Sequence, residues 1–96
     1  MIYTVHRTRD FDRSYQRCLR SGHINARIKT EIEKTVDELA AGKKLSANRR
    51  DHQLKGDLGL YRECHIKGDL LLVYQIQKEK LVLVLVDIGS HSYLGI

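Results

Sequence analysis

The sequence predicts an α+β domain: an N-terminal strand and two helices packed on an antiparallel sheet, in the order β-α-α-β-β-β. Three observations lead there. Apolar residues recur at helical spacing between residues 10 and 40. Three strand-like runs follow residue 60. No repeat, linker or low-complexity tract interrupts the 96 residues, a length suited to one domain over 1–96.

Ile2 to His6 reads as a short strand. Asp10 to Arg20 carries Phe11, Tyr15, Cys18 and Leu19 on one stripe, and Ser21-Gly22 ends that helix. Ile24, Ile28, Ile32, Val36 and Leu39 mark one face of a longer helix that closes at Gly42. Residues 43–57 are polar, and with no proline in the chain their loops must be shaped by Gly, Asn, Asp and Ser. Leu60 to Ile66 alternates. Leu70–Ile76 and Leu81–Val86 are nearly continuous apolar runs joined by the hairpin-length turn 77–80. Continuous apolar strands imply burial on both faces, so helices on one face leave the other for the rest of the chain or a partner.

Composition narrows the function. The net charge is +5, and it is uneven: residues 1–50 hold 12 Lys and Arg against 6 Asp and Glu, while residues 51–96 hold 5 against 6. A basic half attracts nucleic acid, acidic protein or anionic membrane. No run approaches the roughly 18–20 apolar residues of a membrane span, and no signal-peptide pattern opens the chain, so a cytoplasmic protein is expected. Cys18 and Cys64 form no CxxC or zinc-finger spacing and read as reduced, buried thiols. No phosphate-cradling glycine loop and no nucleophile-elbow pattern is present.

The histidines are the chemical signal. His52, His65 and His91 fall in the second half in polar settings, with Asp69 between the last two. Imidazoles titrate near neutral pH and can both donate and accept protons in one reaction. On the first C-terminal strand, Tyr61, Glu63 and His65 share a face, and Leu60, Arg62, Cys64 and Ile66 take the other. Arg62 then serves either as an edge arginine or as a guanidinium emerging toward an anion. Taken singly, each histidine has an ordinary reading: hydrogen-bonded on the strand for His65, solvated in a loop for His52. His6 and His23 read as surface or capping residues. The residue types of His52, His65, His91 and Asp69 suit zinc, but their spacing matches no compact metal motif, so no metal is expected.

The string Asp51-His52-Gln-Leu-Lys-Gly56, followed by Gly59-Leu-Tyr-Arg-Glu-Cys-His65-Ile-Lys-Gly-Asp69, a Leu-Leu-Val-Tyr strand and Gly89-Ser-His91-Ser, resembles the YafQ branch of the RelE/ParE superfamily. The likeness is most specific over residues 50–94. It implies a compact RelE-like fold and the toxin of a type II toxin–antitoxin system. It implies a ribosome-dependent mRNA interferase that cuts messenger RNA in the A site without a cofactor. It further implies a cognate acidic antitoxin of the DinJ type, with operator DNA bound only through the antitoxin complex. The implied catalytic set is His52, His65, Asp69 and His91, with His91 as general acid. Asp69 or His65 would be the base, and His52 would hold the scissile phosphate with Lys55 and Arg62 as helpers. This chain departs from the pattern at Gln53, Gly68 and Leu70, where the family often has proline, proline and tryptophan. A base-stacking aromatic is absent at Gly95, with Tyr93 the candidate substitute. The alternative is a ParE-like or degenerate relative that acts by binding protein, or only as a co-repressor with its antitoxin.

Overall fold

The computed structural model describes residues 2–96. β1 (Thr4–Arg7) leads into α1 (Arg9–Ser21) and α2 (Ala26–Ala40); β2 (His52–Gln53), β3 (Arg62–Lys67), β4 (Leu70–Gln77) and β5 (Val82–Gly89) follow, and α3 (His91–Leu94) closes the chain. The sheet order is β1-β5-β4-β3-β2. β3, β4 and β5 pair antiparallel, as expected; the short β2 adds an antiparallel edge strand where a loop is expected, and β1 lies parallel to β5, so the sheet is mixed. The reason is connectivity. The helices return the chain across the sheet, which permits parallel pairing, and β1 covers the open edge of the long apolar β5.

Local chemistry sets the helix ends. The Thr8 hydroxyl accepts the Phe11 N–H, Asp10 and Asp12 occupy the first turn of α1 and Arg20 the last, in accord with the helix dipole. Gly22 ends the helix at φ +82°. The Asn25 side chain caps α2 at Ile28 N–H, 2.9 Å away. Phe11, Cys18, Ile24, Ile32 and Leu39 then meet Cys64, Ile66, Leu72, Tyr74, Leu83, Leu85 and Ile88 in one core. Leu19, expected on the apolar stripe, is exposed instead.

β4 is buried in four successive positions, Leu71 to Tyr74, as its apolar run implied. β5 is not: Leu83 and Leu85 are buried while Val82, Val84 and Val86 are half-buried, so its second face is only partly covered. Leu81 falls in the turn at φ +54°, and the strand runs on to Gly89. A register shift at Val73/Tyr74 pairs Val73 with Asp87 and Tyr74 with Leu85. Among the described residues no helix is long and apolar enough to cross a membrane.

Both cysteines are free and buried. Burial pushes the Cys64 thiol up to about 12 and raises that of Cys18 as well. Since the thiolate is the reactive form, neither should react with a thiol reagent near pH 8 until the protein unfolds. A native-state thiol titration that consumes reagent would contradict this packing.

Candidate functional site

Strand alternation builds the site. Cys64 and Ile66 of β3 point into the helix-covered core, which turns Glu63 and His65 to the opposite face. His52, expected in a loop, lies instead on the short edge strand β2, directly opposite Glu63. Its Nδ1 is 2.7 Å from the Arg50 carbonyl and its Nε2 is 3.3 Å from Glu63 Oε1. A carbonyl accepts only, so Nδ1 donates to it and Nε2 faces the carboxylate. Glu63 is 4% exposed and its Oε2 has no hydrogen-bond partner. An unpartnered buried carboxylate oxygen is costly.

The second half of the site comes from two turns. Asp69 sits between β3 and β4. The Ser90 hydroxyl caps α3 through the Tyr93 N–H and so places His91 at the first helical position. His91 Nδ1 is 2.5 Å from Asp69 Oδ1, and its backbone N–H donates to the same oxygen at 3.4 Å. These two hydrogen bonds, side chain first, hold the Asp69 carboxyl below its usual range. With Nδ1 committed to Asp69, Nε2 is the free atom of the His91 ring. The His65 and His91 ring centroids are 5.7 Å apart at an interplanar angle of 60°. His52, Glu63, His65, His91 and Asp69 thus form one continuous row.

Three residues expected at the site do not join this row. Arg62 is the cross-strand partner of Tyr74, and its Nε lies 3.3 Å from both the Asp51 carboxylate and the Tyr74 hydroxyl. Tyr74 also donates to Asp51, so the guanidinium braces the segment that carries His52. Lys55 is exposed at the start of the β2–β3 connection. Tyr93 turns toward α1: its hydroxyl is 2.9 Å from Ser14 Oγ and the Arg17 guanidinium lies 3.7 Å above its ring. A Cβ on Gly89 would stand 2.6 Å from Tyr93 Cδ2. Gly89→Ala is therefore expected to push α3 off α1. It should cost about 1–3 kcal/mol in a denaturant melt and lower activity by displacing His91.

Glu63 was legible as a strand neighbour of His65 but carried no separate signal of its burial. Arg49 had none. Its Nη1 donates to the Ile66 carbonyl at 2.6 Å, and its Nη2 pairs with Glu31 at 2.5 Å, which holds that carboxyl below its usual range. It ties the polar loop and α2 to the bulged end of β3.

One carboxylate and two imidazoles also suit a metal. Ligand atoms of Glu63, His65 and His91 all lie within 4.8 Å of one another. This set replaces His52 and Asp69 of the sequence reading with Glu63. Two imidazoles and a carboxylate suit zinc and other divalent transition metals.

The family described as "Bacterial toxin of type II toxin-antitoxin system, YafQ" matches residues 3–95. A Haemophilus influenzae protein named for the YafQ toxin is 46% identical over 50 residues, which span 50% of this chain and 49% of that protein. The chain therefore matches about half the length of that curated relative. The crystal structure of a metal-bound toxin from Helicobacter pylori is 40% identical with a TM-score of 0.84, covering 96% of this chain and 98% of that one. The YafQ chain of the E. coli DinJ–YafQ complex is 19% identical with a TM-score of 0.80, covering 96% and 97%, a likeness of fold. The residues 3–95 that carry the helices, the sheet and every member of the histidine row place this chain in the YafQ family, the bacterial toxins of type II toxin–antitoxin systems.

Proposed function

We propose that this chain is a ribosome-dependent mRNA interferase that cuts messenger RNA by acid–base chemistry. The observation that carries the reading is the pair His65 and His91, 5.7 Å apart and flanked by Glu63 and Asp69. Cleavage is attack of a ribose 2′-OH on its own 3′-phosphate. The step needs a base for the 2′-OH, an acid for the leaving 5′-oxygen and positive charge for the phosphorane. Two imidazoles on either side of a phosphate supply the first two, each worth roughly 10²–10⁴-fold.

His91 is the acid, delivered through its free Nε2. His65 is the base, because Asp69 Oδ1 is already held by the His91 ring and backbone. Asp69 is thus a positioning residue. His52, beside Glu63, holds the scissile phosphate. Lys55 and the basic outer faces of α1 and α2 contact RNA phosphates. Arg62 contributes by bracing Asp51. Tyr93 packs on α1, so base stacking by its ring requires that it leave Ser14.

A cognate acidic antitoxin of the DinJ kind neutralises the toxin and carries the complex to operator DNA. The half-buried valines of β5 and the basic charge are the surface it would cover. The test is induction of the chain with and without the adjacent upstream reading frame, read by primer extension on messenger RNA. Discrete cuts that the neighbour suppresses support the proposal. Growth arrest without cuts would favour the protein-binding alternative.

A metal enters as a competitor. A divalent ion held by Glu63, His65 and His91 would supply Lewis acidity, but it would occupy the lone pairs through which both imidazoles move protons. Added zinc should therefore suppress cleavage in a reconstituted translation mixture, and a zinc-selective chelator should restore it. Cleavage that requires zinc would overturn the acid–base assignment.

A further inference from the structure

A cavity of about 300 Å³ is lined by Asp69 and Ser90, neighbours of His91, and by residues of α1. That volume falls at the small end of ligand pockets. Leu70 and the buried Cys18 form an apolar wall, and Ser21 and His23 stand at one rim, with Ser21 Oγ 2.6 Å from His23 Nδ1. Arg17 and Lys67 bring two positive charges, and among the described residues neither forms an ion pair. The Arg17 guanidinium is fixed by its stacking on Tyr93, which leaves its edge N–H groups for an acceptor.

This mixture matches one ligand chemistry. A nucleotide unit has a flat apolar face, an anionic phosphate and hydroxyl or amine donors. The cavity offers Leu70 and Cys18 to the first, Arg17 and Lys67 to the second and the Asp69 carboxylate to the third. Continuity with the histidine row narrows it further. Asp69 lines the cavity and orients His91, and Ser90 lines it and caps the helix that His91 begins. A strand crossing His65 and His91 would have to turn past Asp69, at the end of the sheet, for its next nucleotide to enter the cavity on the helix side.

Resting on the RNA-cleaving reading above, we infer that the cavity between α1 and the Lys67–Leu70 turn binds the nucleotide adjoining the cut and contributes sequence preference there. The affinity for a single nucleotide is of order millimolar, since one unit makes few contacts.

The test titrates the isotope-labelled full chain by NMR with AMP, GMP, CMP and UMP, and with uridine and inorganic phosphate as controls. Nucleotides should move the amides of Ser21, His23, Lys67 and Leu70, and inorganic phosphate should move them much less. Leu70→Trp fills the cavity and should abolish the shifts at Ser21 and His23. The exposed variants His23→Ala and Lys67→Ala should reduce the shifts without disturbing the fold. Equal shifts with phosphate alone, shifts confined to His65 and His91, or variants that respond like the parent would overturn the inference. So would an absence of shifts, which leaves the cavity to a protein partner. The titration does not require activity, so it decides the cavity even if the parent cuts no RNA. If the parent does cut, sequencing of the ends should show a relaxed preference at one flanking nucleotide in His23→Ala. An unchanged preference would remove the specificity role.

Discussion

His91→Ala should cut the rate of messenger RNA cleavage by about 10²–10⁴-fold, the span of a lost general acid, and abolish toxicity. The loss should be chemical rather than structural. The side chain is about half exposed, sits at the start of a four-residue helix and packs on little beyond Asp69 and the edge of His65. Stability should therefore change by no more than about 1 kcal/mol, measured by denaturant unfolding. The backbone N–H that donates to Asp69 remains in the variant. Equal toxicity of parent and variant at equal expression would remove His91 from the acid role.

Asp69→Asn should lower kcat by about 10²-fold with little change in KM, because the residue orients His91 rather than contacting RNA at the cut. Asparagine can still hydrogen-bond, but it offers no charge and can present its amide to Nδ1 in the wrong sense. The pH dependence follows from the sign of the shift. The folded carboxyl lies below its usual value, so the Asp69–His91 contact is fully formed above the ordinary carboxyl pKa of about 3.9 and fails only as pH falls through the lowered value. The Asp69 carboxylate stays ionised from about pH 5 to pH 7, so the variant should be slower than the parent at every pH in that window. A variant that matches the parent there would remove Asp69 from the positioning role.

The helix pair, the three long strands and the core stripe were readable because periodicity reports burial. Cys64 sits where alternation placed it, and Leu72, Leu83 and Leu85 are buried as their apolar runs implied. Parallel pairing of β1 was not readable, since a four-residue strand carries no sign of its neighbour's direction. The two-residue strand β2 was hidden in a polar stretch because its pairing depends on β3 and not on its own residues. The residues of the row were legible by type, and their convergence was not. Sequence separates His52 from His91 by the whole sheet, and only the β2–β3 register and the α3 cap bring them to one place. Arg62 and Tyr93 show the converse. Each has a side chain suited to RNA, and each is drawn off by a partner distant in sequence: Asp51 and Tyr74 for the first, Ser14 and Arg17 for the second. Glu63 gained its interest only through burial, which no strand pattern distinguishes from an exposed acid on the same face.

If an imidazole pair drives attack by the ribose 2′-OH, the chemistry of the cut ends reveals it most directly. Messenger RNA programmed on ribosomes would be treated with the purified chain and the new termini analysed. One fragment should carry a 2′,3′-cyclic phosphate, or the 3′-phosphate it opens to, and the other a 5′-hydroxyl, with both lost in His91→Ala. Termini bearing a 3′-hydroxyl and a 5′-phosphate would show attack by water instead and would contradict it.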